Sequence, residues 1–199
     1  MIKGILRVFK RSAKELTELR SIAAIGVLLA AAVVLDGFGS VRIGEYLKIN
    51  FAFLPLAMVG ILFGPVSGSA AGLLVDLIGY LVNPIGGFIP ALMLITALEG
   101  FIYGAVLYRL KAEKSVIVLI RIVLSRLLVC TICNLTLNTL ALYGFGLISA
   151  ESFTAAFTAR IATNVITFCL GSYMMMAVLI PLKRFYELHI RRSSGRQAL

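Results

Sequence analysis

Histidine occurs once among the 199 residues, as His189 in a basic stretch near the C-terminal end. That excludes the two-histidine H-E-x-x-H zinc site, and it leaves a serine hydrolase with no base inside any apolar segment. No G-x-x-x-x-G-K-[ST] run is present, so the chain does not hydrolyse ATP through a phosphate loop. Cysteine is sparse, and Cys130, Cys133 and Cys169 all lie in apolar stretches. Cys130 and Cys133 form a C-x-x-C run, but no βαβ pattern surrounds it. Two such residues at i, i+3 on an apolar helix read as packing groups. The expectation is a protein that is not an enzyme and carries no metal or cofactor.

Charge is also scarce, at 14% of residues against 60% apolar. With a mean hydropathy of +1.02, the composition excludes both an ordinary soluble domain and a disordered chain. What is abundant is long apolar sequence, enough for about six spans of ~20 residues with short connections. The fold class read from this is an all-α membrane protein, a six-helix transmembrane bundle. Residues 1–20 form a basic amphipathic segment, 21–183 the six-span membrane domain and 184–199 a basic tail. No cleavable leader is expected, because the first twenty residues are basic and amphipathic.

The apolar runs are 22–35, 51–63, 66–82, 90–107, 116–142 and 153–182, punctuated by Asp36-Gly37, Gly64-Pro65 and Asn83-Pro84. The second and third are short for a bilayer ~30 Å thick and read as thin-spanning or discontinuous. Net charge is +10, a balance that suits nucleic acid, yet its distribution points elsewhere. Lys3, Arg7, Lys10, Arg11, Lys14 and Arg20 precede the first run. Arg109, Lys111 and Lys114 separate the fourth from the fifth, and Lys183, Arg184, Arg191, Arg192 and Arg196 follow the last. Only Arg42 and Lys48 occupy the opposite side. This is the positive-inside pattern with both termini cytoplasmic, and no nucleic-acid partner is expected. The first segment, with Ile2, Ile5, Leu6, Phe9, Ala13 and Leu16 at helical spacing, reads either as an interfacial helix or as a plain topological anchor.

Small residues recur every four positions at Gly60, Gly64, Gly68 and Gly72, and again at Gly100 and Gly104. Such faces let helix backbones approach closely in lipid, and here they read as internal packing. Gly26 and Ala30 make a similar pair in the first run, flanked by Ala23, Ala24, Ala31 and Ala32. That smooth face suits either internal packing or docking of another membrane subunit.

Asp76 and Arg160 stand inside apolar runs, where a charge at mid-membrane costs ~2.5–3.5 kcal/mol on insertion scales. Such groups persist when they face a protein interior or a wet cavity. With the N-terminus inside, Asp76, Tyr80, Asn134, Asn138, Arg160 and Asn164 reach similar depth in the outer half of spans three, five and six. The reading is a ligand pocket open to the exterior. Alternatively, Asp76 and Arg160 pair with each other and the asparagines bridge helices. Glu99, deeper, is expected to pair with Arg121 or Arg126.

Several stretches are familiar. They are Leu47-Lys48-Ile49-Asn50-Phe51-Ala52-Phe53-Leu54-Pro55, Phe63-Gly64-Pro65-Val66-Ser67-Gly68 and Asp76-Leu77-Ile78-Gly79-Tyr80-Leu81-Val82-Asn83-Pro84. With Asn83 to Pro90, Leu137-Asn138-Thr139-Leu140 and Arg160-Ile161-Ala162-Thr163-Asn164, the chain resembles the substrate-binding S components of energy-coupling-factor (ECF) vitamin transporters. The likeness covers about residues 20 to 182 and is strongest to the folate group. It implies a bacterial, multi-pass protein of the cell membrane that binds a vitamin near the outer surface. It further implies lipid surroundings, a transmembrane T subunit and two cytoplasmic ATPases as partners, with delivery inward by toppling. The T-subunit contact maps onto Gly26 and Ala30.

For a folate ligand, Asn138, Arg160 and Asn164 are expected to hydrogen-bond the ring. Asp76 either accepts from the ring's amino edge or orients Arg160. Phe51, Phe53, Tyr80 and Phe88 are candidate aromatic walls, and Asn134 is a further polar contact. Arg42 and Lys48 attract the tail carboxylates or are simply solvated. The alternatives are an S component for pantothenate, riboflavin or a queuosine precursor, and a stand-alone proton-coupled transporter using Asp76, Glu99 and Arg126.

Overall fold

The computed structural model describes residues 2–37, 41–43, 47–49, 51–84, 87–108, 115–146 and 150–196; for the first turns of the N-terminal helix, the hairpin and much of both ends of the final helix it describes backbone alone. The elements run α1 (Ile2–Glu15), α2 (Leu19–Gly37), β1 (Val41–Ile43), β2 (Leu47–Ile49), α3 (Phe53–Phe63), α4 (Pro65–Val82), α5 (Pro90–Leu107), α6 (Ser115–Leu128), a π-helical segment (Val129–Leu137), α7 (Asn138–Gly144) and α8 (Ala150–Arg196). Helices account for every apolar run. The expected purely helical chain carries one addition, an antiparallel hairpin pairing Val41 with Ile49 and Ile43 with Leu47. Three residues per strand are too few for alternation to reveal in sequence.

Among the described residues, five helical stretches are long and apolar enough to cross a membrane: Leu19–Gly37, Pro65–Val82, Pro90–Leu107, Val116–Gly144 and Phe157–Leu179. Phe53–Phe63 is apolar but has only 11 residues, about 16 Å of helix. The last helix passes through Pro181 without stopping and reaches Arg196. Leu56, Val59, Tyr103, Leu107, Ile122 and Met175 belong to the buried core. Many large apolar residues point outward, among them Val27, Leu94, Ile120 and Val165. In water such a surface would aggregate; in hydrocarbon it is the favoured exterior.

Glycines set the closest contacts. A Cβ on Gly68 would run into the carbonyl of Gly100, one on Gly72 into the Thr96 carbonyl, and one on Gly60 would lie 2.7 Å from the Gly104 nitrogen. The four-residue glycine spacing therefore packs α3 and α4 directly on the backbone of α5. Gly26, by contrast, is exposed, and a Cβ there would meet nothing within 4 Å.

Between α3 and α4 the chain turns on Gly64 alone, at φ 92°, a conformation that strains any residue with a Cβ. Pro65 then opens α4, where its missing N–H is no loss. The free amides that follow are satisfied from another helix. The Ser12 hydroxyl of α1 accepts from Val66 N at 3.0 Å and Ser67 N at 3.2 Å, while the Ser67 hydroxyl donates to the Ser12 carbonyl at 3.0 Å. Phe9 of α1 also lies against Phe101 of α5, ring centroids 5.9 Å apart. The amphipathic segment thus has a partner within its own chain, while Lys10, Arg11 and Lys14 stay exposed. Ser12→Ala removes the cap on α4 and should cost about 1 kcal/mol. Thermal unfolding of the detergent-solubilised variant should show a lowered midpoint and faster proteolysis within α1; an unchanged profile would mean the cap contributes nothing.

Candidate ligand-binding site

A cavity of about 450 Å³ opens among the helices, within the usual range of about 300–1,000 Å³ for small-molecule sites. Its walls come from most of the apolar helices. Asp36 lies in the last turn of α2, Ala52 is the N-cap of α3, Phe53 begins that helix, and Leu56 lies one turn on. Val75 and Asp76 come from α4, Thr96 and Glu99 from α5, and Arg126 from α6. Asn134 is in the π segment, Asn138 starts α7, and α8 adds Arg160, Thr163, Asn164 and Thr167. Asp76, Asn134, Asn138, Arg160 and Asn164, placed at similar depth by the sequence, are brought to one space, and Phe53 joins them.

The π segment makes that convergence possible. Arg126, Asn134 and Asn138 are spaced by eight and four residues. Over twelve residues an α-helix overshoots three full turns by about 120°, which would swing Asn138 off the face of Arg126. Here the Asn138 amide reaches the Cys133 carbonyl five residues back, and the Thr136 hydroxyl likewise reaches the Thr131 carbonyl at 2.8 Å. These wider turns cancel the overshoot, and all three side chains line the cavity. Cys130 and Cys133 sit buried and unbridged in the same segment.

Hydrogen bonds fix some of these groups and leave others open. Arg160 Nη1 donates to Asn138 Oδ1 at 3.4 Å and to Thr139 Oγ1 at 3.3 Å, tying α8 to α7. Asn164 Nδ2 donates one of its two N–H groups to the Arg160 carbonyl at 2.9 Å. The Thr96 hydroxyl lies 3.1 Å from the Leu92 carbonyl and 3.4 Å from Asp76 Oδ1. Its one proton serves only one of them at a time, and the shorter contact favours the helix carbonyl. Asp76 is thus lightly held and faces the cavity. The alternative in which Asp76 pairs with, or orients, Arg160 is not what the structure contains.

The expected ion pair of Glu99 with Arg126 or Arg121 is also not formed. Arg126 is 2% exposed. It donates to the Tyr103 hydroxyl at 2.8 Å and the Thr167 carbonyl at 3.0 Å, and its guanidinium carbon lies 4.1 Å from the centre of the Phe53 ring. Its other side rests on Gly171, where a Cβ would overlap the guanidinium. Tyr103 and the α8 backbone compete successfully for the arginine, while Arg121 Nη1 reaches the Val106 carbonyl at 3.4 Å. Glu99 is left lining the cavity.

Three expected aromatic walls lie elsewhere. Phe51, Tyr80 and Phe88 are not among the lining residues. Tyr80 and Phe88 contact each other, centroids 5.1 Å apart. Arg42 and Lys48 are register partners in the hairpin, and their side chains lie outside the described residues. Sequence reasoning gave no site role to Asp36, Thr96, Thr163 or Thr167. Thr96 and Glu99 at i, i+3, and Thr163 and Thr167, one turn apart and bracketing Asn164, were the available signals.

A family model described as the ECF-type riboflavin transporter, S component, matches residues 17–184. The chain belongs to this S-component family. The S component is also 28% identical over 122 residues to the folate transporter FolT of Clostridium novyi (strain NT), a match covering 61% of this chain and 66% of that relative, just under two thirds of its length. A crystal structure of FolT bound with folic acid superposes with a TM-score of 0.69 at 30% identity, covering 79% of this chain and 91% of the other. As a transporter component with several apolar helices, this S component is a multi-pass membrane protein, similar to the folate transporters just described.

Proposed function

We propose that this S component captures folate or reduced folates for an ECF importer of the bacterial cell membrane. The observation that carries the reading is the convergence of Asp76, Asn138, Arg160 and Asn164 on one cavity, joined by likeness to two folate transporters. Six spans with both termini cytoplasmic, counting short α3, put the cavity in the outer half of the bundle and follow the distribution of lysine and arginine. Asn138, Arg160 and Asn164 contact the pterin ring, Asn134 adds a polar wall, and Phe53 supplies the aromatic one. Arg42 and Lys48 place two cations at one register position of the outward connection, where they attract the glutamate tail. The open face at Gly26 and Ala30 meets the T subunit, and two cytoplasmic ATPases supply the energy for toppling.

The family model's description favours riboflavin as a second reading. The cavity's charges discriminate between the two. Among the described residues Asp36, Asp76 and Glu99 present three carboxylates against the guanidinium groups of Arg126 and Arg160. A pterin offers adjacent N–H donors on its 2-amino-4-oxopyrimidine edge. The corresponding edge of a flavin is one N–H between two carbonyls, which a carboxylate wall repels. Purified alone and titrated with folic acid, riboflavin and pantothenate, the protein should prefer folic acid by at least about a hundredfold. Preference for riboflavin would replace this reading with the second one. Ligand accumulation in vesicles lacking any ATPase would favour a stand-alone transporter instead.

A further inference from the structure

We infer that Glu99 is the specificity-determining residue of the cavity, the group that reads the adjacent N–H donors of a 2-aminopyrimidinone; this rests on the folate reading above. The three carboxylates at the cavity are not equivalent. Asp36 has other interactions, and Asp76 has the Thr96 hydroxyl 3.4 Å away. Glu99 has no hydrogen-bond donor among the described residues, although it lines the cavity from the middle of α5. A carboxylate at this depth of a membrane protein with no donor is costly unless something in the cavity completes it.

Arg126 sets the charge near that group. It is wedged between Phe53 and Gly171, and its two terminal nitrogens each donate to a neutral group, the Tyr103 hydroxyl and the Thr167 carbonyl. Its charge is therefore not cancelled by a contact ion pair. It also cannot swing across to occupy Glu99, because Tyr103, Phe53 and Gly171 hold it on three sides. The result is a fixed positive charge beside a carboxylate that remains open to ligand. Two parallel acceptor oxygens match two parallel N–H donors, as in a carboxylate–guanidinium pair. Replacing the ligand's 2-amino group by oxygen turns one donor into an acceptor facing Glu99, and a site built around that hydrogen bond rejects the substitute strongly.

The test uses the purified full-length protein, folic acid, and the analogue carrying oxygen in place of the 2-amino group. Wild type should bind folic acid at least about a hundredfold more tightly than the analogue, and Glu99→Gln should lose about thirtyfold or more in folic acid affinity while its preference falls to within about threefold. Size-exclusion elution and thermal midpoint show that the variant is folded. Equal binding of both compounds by wild type overturns the inference whatever the variant does. So does a folded variant that keeps the wild-type preference, even with weaker binding overall, and in both cases the folate reading stands. Wild type that binds no folic acid removes the folate reading and this inference with it.

Discussion

Gly100→Val should yield no folded protein. The position a Cβ would take at Gly100 is already filled by the Gly68 backbone, with its carbonyl carbon at 2.6 Å and Leu56 Cδ1 at 3.2 Å. Those backbone atoms cannot rotate aside as the end of a long side chain can. Gly68 faces the same obstacle in reverse, its Cβ position 3.1 Å from the Gly100 carbonyl carbon. Even one added methyl must push α4 and α5 apart, and overpacking of that kind costs about 1–3 kcal/mol. Valine adds two further carbons and exceeds what the contact can absorb. Helix association in lipid depends on close packing, so little else compensates. Expression followed by size-exclusion chromatography should show aggregate for Gly100→Val and a lowered thermal midpoint for Gly100→Ala. Gly26→Ala, at a site with nothing within 4 Å, should match wild type. A monodisperse valine variant with the wild-type midpoint would refute the packing argument.

Arg160→Ala is expected to leave a folded protein with folic acid affinity reduced about 10- to 150-fold, the worth of a hydrogen bond to a charged group. The guanidinium is half-buried in the cavity wall, and both contacts it makes to α7 exceed 3.2 Å. Long contacts of this kind can be exchanged for shorter ones to a ligand at little loss. Alanine also frees Asn138 to turn, removing a second ring contact. Lysine should recover only part of the affinity, since one ammonium cannot reproduce a planar fork of donors. Calorimetric titration of the folded variants decides the matter: full affinity in Arg160→Ala would take the arginine out of the site.

Much of the architecture was legible because lipid simplifies the code. Apolar runs must be helices, and Gly64-Pro65, Asn83-Pro84 and Asp36-Gly37 stop them where the structure ends its helices. The polar cluster was legible for a related reason, since depth follows from chain direction once the topology is set. What sequence could not supply were contacts whose outcome depends on competition. Arg126 had Glu99 as its obvious mate by charge, yet Tyr103, Thr167, Phe53 and Gly171 together outweigh that single attraction. Ser12 reads as one more polar residue of an amphipathic helix until Val66 and Ser67 are seen to need an acceptor. Tyr80 and Phe88 looked like ring-stacking walls because aromaticity says nothing about which side of a connection a residue occupies.

The widened turns between Val129 and Leu137 have a consequence for how such a pocket can diversify. They set the rotational phase between the two halves of one long helix. Deleting a single residue there would keep the run helical, yet it would turn all that follows by about 100°. Asn138 would leave the cavity and a neighbour would enter in its place. A length change of one residue in this segment is therefore a route to a new ligand that alters no pocket side chain directly.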